Sequence, residues 1–158
     1  MTANRESVII KRNLPAFRGR NTDPGAQMSC LPSKYADLHR FRFGDSREIC
    51  DWLTGLALGG RKTGTCWAHR DVARGEPMFE IGDRSVYTDW DHIPVCAVEY
   101  TKIEIHPFDQ VPVAFALSEG EGDYVAWRNG HIAWFQRTGG WSPDMAVVCE
   151  SFKVIDRF

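Results

Sequence analysis

The chain contains two long segments whose apolar residues follow the period of an α-helix. The first segment begins after a capping pair, Asp45 and Ser46, and ends at the glycine pair 59–60. Aspartate and serine side chains accept hydrogen bonds from the free N–H groups that begin a helix, and glycine tolerates the left-handed conformation that ends one. The sequence therefore predicts a helix between these signals, with one apolar face. That face consists of Ile49, Trp52, Leu53 and Leu56.

A second helical segment lies further along the chain and is framed by the same signals. Asp123 supplies the capping residue, and the glycine pair 139–140 marks the end. A shorter helix is predicted after Asp109, with Pro112 in its first turn, where proline is tolerated. Another short helix is predicted over 34–42. One face of the last helix contains Tyr124, Trp127, His131, Trp134 and Phe135.

Alternating patterns and turn residues predict strands around these helices. Gly82 and Asp83 form a turn before one strand, and residues 89–92 form a hairpin turn before a longer one. The predicted strands cover 61–69, 84–88, 94–105 and 145–155. Short strands joined by hairpin connections around a few helices indicate an α+β fold or a small open barrel.

The length of 158 residues fits one domain, and its N-terminal segment differs in character. Residues 1–30 contain scattered prolines and glycines with little periodicity, so we predict a flexible arm there and a folded domain over 31–158. Residues 1–47 carry nine Lys and Arg against four Asp and Glu, whereas residues 48–158 carry ten against seventeen. The basic segment either contacts phosphates or is a solvated tail. The acidic remainder argues against a broad nucleic-acid groove across the domain.

Other features of the composition exclude several classes of protein. No apolar run reaches the length of a membrane span, and the first twenty residues lack the apolar core of a signal peptide. The five cysteines are scattered, without a C-x-x-C pair, which predicts free thiols in a reducing compartment and a cytoplasmic protein. No His, Cys and carboxylate spacing matches a metal site, so we expect no metal and no cofactor.

The densest group of reactive side chains lies in residues 60–65 (GRKTGT). This run is not a phosphate-binding P-loop, because Leu56 and Arg61 stand where that motif needs glycine. Lys62 and Thr65 fit two interpretations. They act as base and nucleophile if the chain bends at Gly64 and the lysine is desolvated. Otherwise the lysine is a solvated charge and the threonine an ordinary strand residue.

Further candidates also have two interpretations each. Glu119 and Glu121 lie in a glycine-rich joint between helices, where they either reach over a cleft or remain as surface charges. Trp67 either stacks on a base or fills the core. His131, on an apolar helix face, fits a core histidine better than a catalytic one.

Four segments of the chain occur in the order and spacing of one known family. They are 43–46 (FGDS), 60–65 (GRKTGT), 115–123 (FALSEGEGD) and 144–152 (DMAVVCESF). Over residues 41–155 the chain resembles the longer-chain branch of the ASCH domain family, which is related to PUA-like RNA-binding barrels. The resemblance implies a small PUA-like β-barrel with flanking helices and a cleft for RNA or a modified nucleobase.

The chain is also distantly similar to the bacterial acetylcytidine amidohydrolases, which use a lysine, a threonine and a glutamate. Their G-[RK]-K-T-x-T stretch matches residues 60–65, which implies these roles for Lys62, Thr65 and Glu119. In the implied mechanism a neutral Lys62 takes the proton of Thr65, whose oxygen attacks an acyl carbonyl, while Glu119 positions Lys62 and moves the proton. The candidates for substrate binding are Arg61, Thr63, Trp67 and His131.

Two other functions fit the same cleft. An RNA-binding module without catalysis would place Arg61 and Lys62 on phosphates and would use Trp67 to stack a base. A metal-independent ribonuclease would use Lys62 to stabilise the phosphorane. An interaction domain with an inactive cleft is a further alternative. The predicted partner is RNA or a modified nucleoside, and the sequence predicts no oligomeric state.

Overall fold

The structure, a computed structural model, describes residues 31–158, so the arm predicted over 1–30 lies outside the described residues. This part of the chain contains five strands and three α-helices, with short 3-10 turns between some of them. The strands are β1 (Arg40–Phe41), β2 (Gly64–Ala68), β3 (Arg84–Thr88), β4 (Pro94–Pro107) and β5 (Ala146–Arg157). The helices are α1 (Arg47–Leu58), α2 (Val113–Ser118) and α3 (Tyr124–Thr138).

All five strands belong to one sheet, in the order β1-β3-β4-β5-β2. β1 pairs with β3 in parallel, and the other neighbours are antiparallel. The longest pairing joins β4 and β5 and contains register shifts, which bend and twist both strands. Among residues 31–158 no strand joins β1 to β2, so the sheet remains open. The predicted α+β class is confirmed, and the predicted barrel is incomplete on this side.

The two long helices begin and end where the capping signals predict. Ser46 Oγ accepts a hydrogen bond from the N–H of Ile49 at 3.3 Å, and Asp123 Oδ1 accepts one from Ala126 at 2.8 Å. The predicted apolar face of α1 is only partly buried. Ile49 is 38% and Trp52 49% exposed, because this side of the helix borders an open cavity and not the core.

One predicted element near these helices is wrong, and a second, the short helix after Asp109, is present as α2 but lacks its predicted cap. Residues 34–42 do not form a helix; a 3-10 turn at Ser33–Tyr35 is followed by β1, whose backbone groups pair with β3. Asp109 does not cap α2, because it lies in the separate turn Phe108–Gln110 and its carboxylate accepts a hydrogen bond from Arg128 at 2.6 Å. Tertiary pairing overrides the local propensity in both places.

The core has two main clusters on opposite sides of the later strands. One packs α1 against the sheet and includes Phe43, Tyr87 and Phe152. The other packs α2 and α3 against β2 and β5 and includes Phe115 and Trp127. In the part of the chain that the structure describes, no helix has both the length and the apolar character needed to cross a bilayer.

Candidate functional site

The turn after α1 brings Lys62 into the interior. Gly60 has a φ of +74°, a conformation that glycine adopts without strain. The carbonyl of Leu56 accepts hydrogen bonds from the N–H groups of both Arg61 and Lys62, at 2.9 and 3.0 Å. Lys62 is consequently only 1% exposed, whereas Arg61 and Thr63 on either side are exposed. The chain therefore bends at Gly60, before Lys62, and the bend predicted at Gly64 is wrong, because Gly64 begins the regular strand β2.

The joint between α2 and α3 delivers two carboxylates to the same place. Gly120 has a φ of +73°, and a Cβ at this position would lie 2.7 Å from the carbonyl oxygen of Arg61. Only glycine therefore lets the two backbones approach this closely. The N–H of Thr63 adds a hydrogen bond to the carbonyl of Ser118 at 2.8 Å, which joins the two segments.

Lys62, Glu119 and Glu121 form a cluster of charges. Lys62 Nζ donates to Glu119 Oε2 at 2.8 Å and to Glu121 Oε1 at 2.9 Å. The Glu119 side chain is 2% exposed and that of Glu121 is 21% exposed. The Lys62 ammonium also lies 5.2 Å from the centre of the Phe43 ring, within the range of a cation–π interaction. The buried ammonium of Lys62 is thus stabilised by two carboxylates and one aromatic ring.

The carboxylate of Glu119 has a second set of partners on α3. Trp127 Nε1 donates to Glu119 Oε1 at 3.0 Å, and His131 Nε2 lies 3.4 Å from the same oxygen. His131 Nδ1 donates to the carbonyl of Trp127 at 2.9 Å, since a carbonyl can only accept. One turn of helix therefore holds both side chains that contact Glu119 Oε1.

The electrostatics of the cluster favour charged groups. Burial by itself would lower the pKa of Lys62, but the carboxylates of Glu119 and Glu121 outweigh it and raise that pKa above 10.5. Burial would raise the pKa of Glu119, but Lys62 and His131 hold it well below its ordinary value. Burial would likewise lower the pKa of His131, and Glu119 reverses this and raises it. The neutral Lys62 of the predicted mechanism is therefore not the form that prevails before a ligand binds.

Lys62, Thr65, Glu119 and His131 line one cavity of about 220 Å³. Thr65 is 7% exposed and belongs to β2, where its backbone partner is Glu150 of β5. The remaining lining is a mixture of aromatic, aliphatic and polar residues. It consists of Phe41, Arg42, Phe43, Gly44, Asp45, Ile49, Trp52, Leu53, Cys66, Tyr87, Glu121, Gly130, Trp134 and Arg137.

Three residues predicted to bind substrate lie elsewhere. Trp67 is 2% exposed and lines a second, much smaller pocket with Phe79 and Tyr100, so it is a core residue and not a stacking surface in the cavity. Arg61 and Thr63 are exposed and do not line the cavity. The N–H groups of Arg61 and Lys62 are both hydrogen-bonded to the Leu56 carbonyl in the turn after α1, and this turn buries Lys62 and leaves Arg61 in solvent.

Several cavity residues were not predicted as site residues. Phe43 lies in the segment 43–46 and stacks on Tyr87 with ring centres 4.2 Å apart. Arg137 pairs with Asp45 at 3.0 Å across the cavity, and Trp134 lies one helical turn from His131. The helical period did relate Trp134 to His131, since both were predicted on one face of the last helix, but it did not indicate that this part of the face borders a cavity. No signal in the sequence relates Phe43 or Asp45 to α3, because that contact depends on how the two layers pack.

The open sheet, the flanking helices and the cavity between them define a PUA-like α+β domain. A family model described as ASCH domain matches residues 39–156, which is most of the chain. The chain belongs to the ASCH domain family, as its sequence motifs predicted.

Two solved structures are similar over most of their length. The ASCH domain from Lactobacillus crispatus JV V101 is 30% identical with a TM-score of 0.70, covering 75% of this chain and 79% of that one. A protein from Enterococcus faecalis V583 is 31% identical with a TM-score of 0.69, covering 75% and 76%. Comparison with curated proteins gave no significant match.

Proposed function

We propose that the cavity binds a modified nucleobase and that the chain hydrolyses an acyl group carried on the nitrogen of that base, as in acetylcytidine. The supporting observation is that Lys62, Thr65 and Glu119 line a single cavity although they come from distant parts of the sequence. Aromatic rings at Phe43, Tyr87 and Trp134 provide flat apolar surfaces of the kind that a heteroaromatic ring requires.

The contacts of Lys62 define how the proton would move. Lys62 passes a proton to Glu119 Oε2, its hydrogen-bond partner at 2.8 Å, and the resulting amine takes the proton of the Thr65 hydroxyl. The Thr65 oxygen attacks the acyl carbonyl, and the C–N bond breaks as Glu119 returns its proton to the leaving nitrogen. Water then hydrolyses the ester on Thr65, with the same pair acting as base and acid. Each cycle consumes one water and restores every group.

The test is hydrolysis of N4-acetylcytidine to cytidine and acetate, followed by chromatography. Thr65→Val keeps the shape of the side chain but lacks the hydroxyl, and we expect a loss of about a thousandfold or more in kcat. Thr65→Ser is the matched control, since it retains a hydroxyl at the same carbon, and it should keep measurable activity. Equal rates for Thr65→Val and the wild-type chain would remove Thr65 from the reaction.

A second candidate is binding of RNA or a modified base without catalysis. The raised pKa of Lys62 favours binding without catalysis. The charged ammonium can donate a hydrogen bond to an oxygen of the nucleobase, but it cannot accept a proton from Thr65. Arg42 and Arg137 also line the cavity. Binding of a single-stranded RNA would weaken steeply as salt is raised, whereas binding of a neutral nucleoside would barely change. Tight binding by the wild-type chain with no product would select this candidate.

A further inference from the structure

We propose that Cys66, Glu119 and His131 form a binding site for Zn²⁺, with a fourth coordination position open to the cavity. Each residue offers one ligand atom, and the three atoms lie within 4.8 Å of one another. All three side chains line the cavity. They come from β2, from the joint between α2 and α3, and from α3 itself, which explains why no local spacing in the sequence indicated a metal site.

The orientation of His131 suits a metal ligand. Its Nδ1 is occupied by the hydrogen bond to the carbonyl of Trp127, so Nε2 is the nitrogen left to bind an ion. A backbone carbonyl on the other ring nitrogen is the usual way in which proteins orient a ligating histidine. Nε2 lies 3.4 Å from Glu119 Oε1, longer than the roughly 2.7–2.9 Å of a strong charged hydrogen bond. Two ligands bound tetrahedrally at about 2.0–2.1 Å are themselves separated by roughly 3.4 Å.

Glu119 is held in place by groups that leave it able to bind an ion. Its Oε2 accepts from Lys62, and its Oε1 accepts from Trp127 Nε1 at 3.0 Å. A carboxylate oxygen has two lone pairs, so Oε1 retains one for a cation after the indole is bound. The carboxylate therefore does not have to release either partner when the ion arrives.

The charges near the site favour a cation in spite of the buried ammonium. Lys62 contributes one positive charge, and the carboxylates of Glu119 and Glu121 at 2.8 and 2.9 Å contribute two negative ones. Zinc requires Cys66 as the thiolate, which adds a third negative charge, and His131 as a neutral imidazole, so binding releases a proton from each to solvent. A doubly charged ion then leaves the group neutral overall.

The ligand types select the metal and the kind of site. A thiolate and an imidazole favour zinc over magnesium or calcium, which prefer oxygen. Tetrahedral geometry separates sulfur from nitrogen by roughly 3.6 Å, so from a separation of at most 4.8 Å the Cys66 sulfur has to move inward by about 1.2 Å at most. Three protein ligands leave the fourth position for a water or for an oxygen of the molecule in the cavity, as in zinc sites of the open type.

Cobalt provides the test, because Co²⁺ bound to a thiolate absorbs in the near ultraviolet and Zn²⁺ displaces it. We expect the purified full-length chain to show this thiolate-to-cobalt band, and one equivalent of Zn²⁺ to abolish it. His131→Gln should weaken Zn²⁺ binding by more than about tenfold, since even the loss of an outer-shell partner costs about 10–100-fold.

Two matched cysteine variants show which thiol produces the cobalt absorption band. Cys66→Ala should remove the band, and Cys149→Ala should retain it, since Cys149 is directly opposite Cys66 on β5, is buried, and does not line the cavity. Circular dichroism of both variants checks that the fold is intact. A wild-type chain without the band, or a band that survives in Cys66→Ala, would overturn the proposal. Failure of the hydrolase assay would not overturn the zinc proposal, because the cobalt experiment measures metal binding alone.

Discussion

Lys62 Nζ lies 2.8 Å from Glu119 Oε2, and the two side chains are 1% and 2% exposed. An ion pair this deeply buried contributes little net stability, because desolvation of both charges offsets their attraction. Removal of one partner is different, since it leaves an uncompensated charge away from water. The pair therefore restricts which single substitutions the fold tolerates.

Single and double variants test this restriction. Lys62→Met and Glu119→Gln should each lower the free energy of unfolding by about 3–5 kcal/mol. The double variant should lose clearly less than the sum, because the Lys62–Glu119 pair is then removed as a whole and only the partly exposed carboxylate of Glu121 loses a partner. Urea denaturation measures all three. Lys153→Met is the control, since the ion pair of Lys153 with Glu99 leaves its side chain 58% exposed and its loss should have a much smaller effect. Strict additivity would contradict the prediction.

Gly120 should not tolerate a side chain. It combines a φ of +73° with a distance of 2.7 Å between a built Cβ and the Arg61 carbonyl oxygen. Gly120→Ala is expected to destabilise the chain by more than about 1 kcal/mol, since the strain and the contact with backbone add together. The measurement is the urea midpoint at constant slope.

Gly55 provides the opposite case for the same substitution. It lies within α1, and a Cβ there would meet no atom within 4 Å. Gly55→Ala should stabilise the chain by up to about 1 kcal/mol, because alanine is the better helix former. If both variants shifted the urea midpoint in the same direction, the close approach of the Gly120 and Arg61 backbones would not be the cause of the change in stability.

Cys96 should be chemically inert in the folded chain. Burial raises the pKa of its thiol to about 11, despite an opposing effect of Arg157. Since only the thiolate reacts, alkylation by iodoacetamide at pH 8 should leave Cys96 unmodified in the native chain and modify it fully in urea. Mass spectrometry of the digested chain reports the modification site by site. Equal rates in both conditions would contradict the buried position.

Glu99 should contribute to stability at neutral pH and lose this contribution in acid. Hydrogen bonds from Lys153 and Arg84 lower the pKa of Glu99 below its ordinary value of 4.5. A carboxyl group with a lowered pKa in the folded state stabilises the fold above its unfolded pKa and loses this effect as the pH falls through the folded value. Urea midpoints of Glu99→Gln should therefore vary less than those of the wild-type chain as the pH falls below about 4.5. If the midpoints of the variant and the wild-type chain changed with pH in parallel, the proposed contribution of Glu99 to stability would be excluded.

The sequence by itself determined the elements with strong local signals. Ser46 and Asp123 marked the starts of α1 and α3, and the glycines after them marked the ends. The strand at 84–88 and the long strand from residue 94 followed from alternation and turn residues. These signals act between residues a few positions apart, so the chain carries them before it folds. The family motifs likewise predicted Lys62, Thr65 and Glu119 as one set, and the three line one cavity.

Only the tertiary structure decided what surrounds that set. The backbone contact of Gly120 with Arg61 brings two carboxylates onto Lys62, and this contact reverses the shift in the lysine pKa that burial alone would produce. Packing of β2 buried Trp67, and the turn before this strand left Arg61 exposed. The same packing also brought Cys66 near His131. The physical reason is range: capping and alternation depend on neighbours in sequence, whereas burial and charge pairing depend on neighbours in space, which the layers create only when they pack.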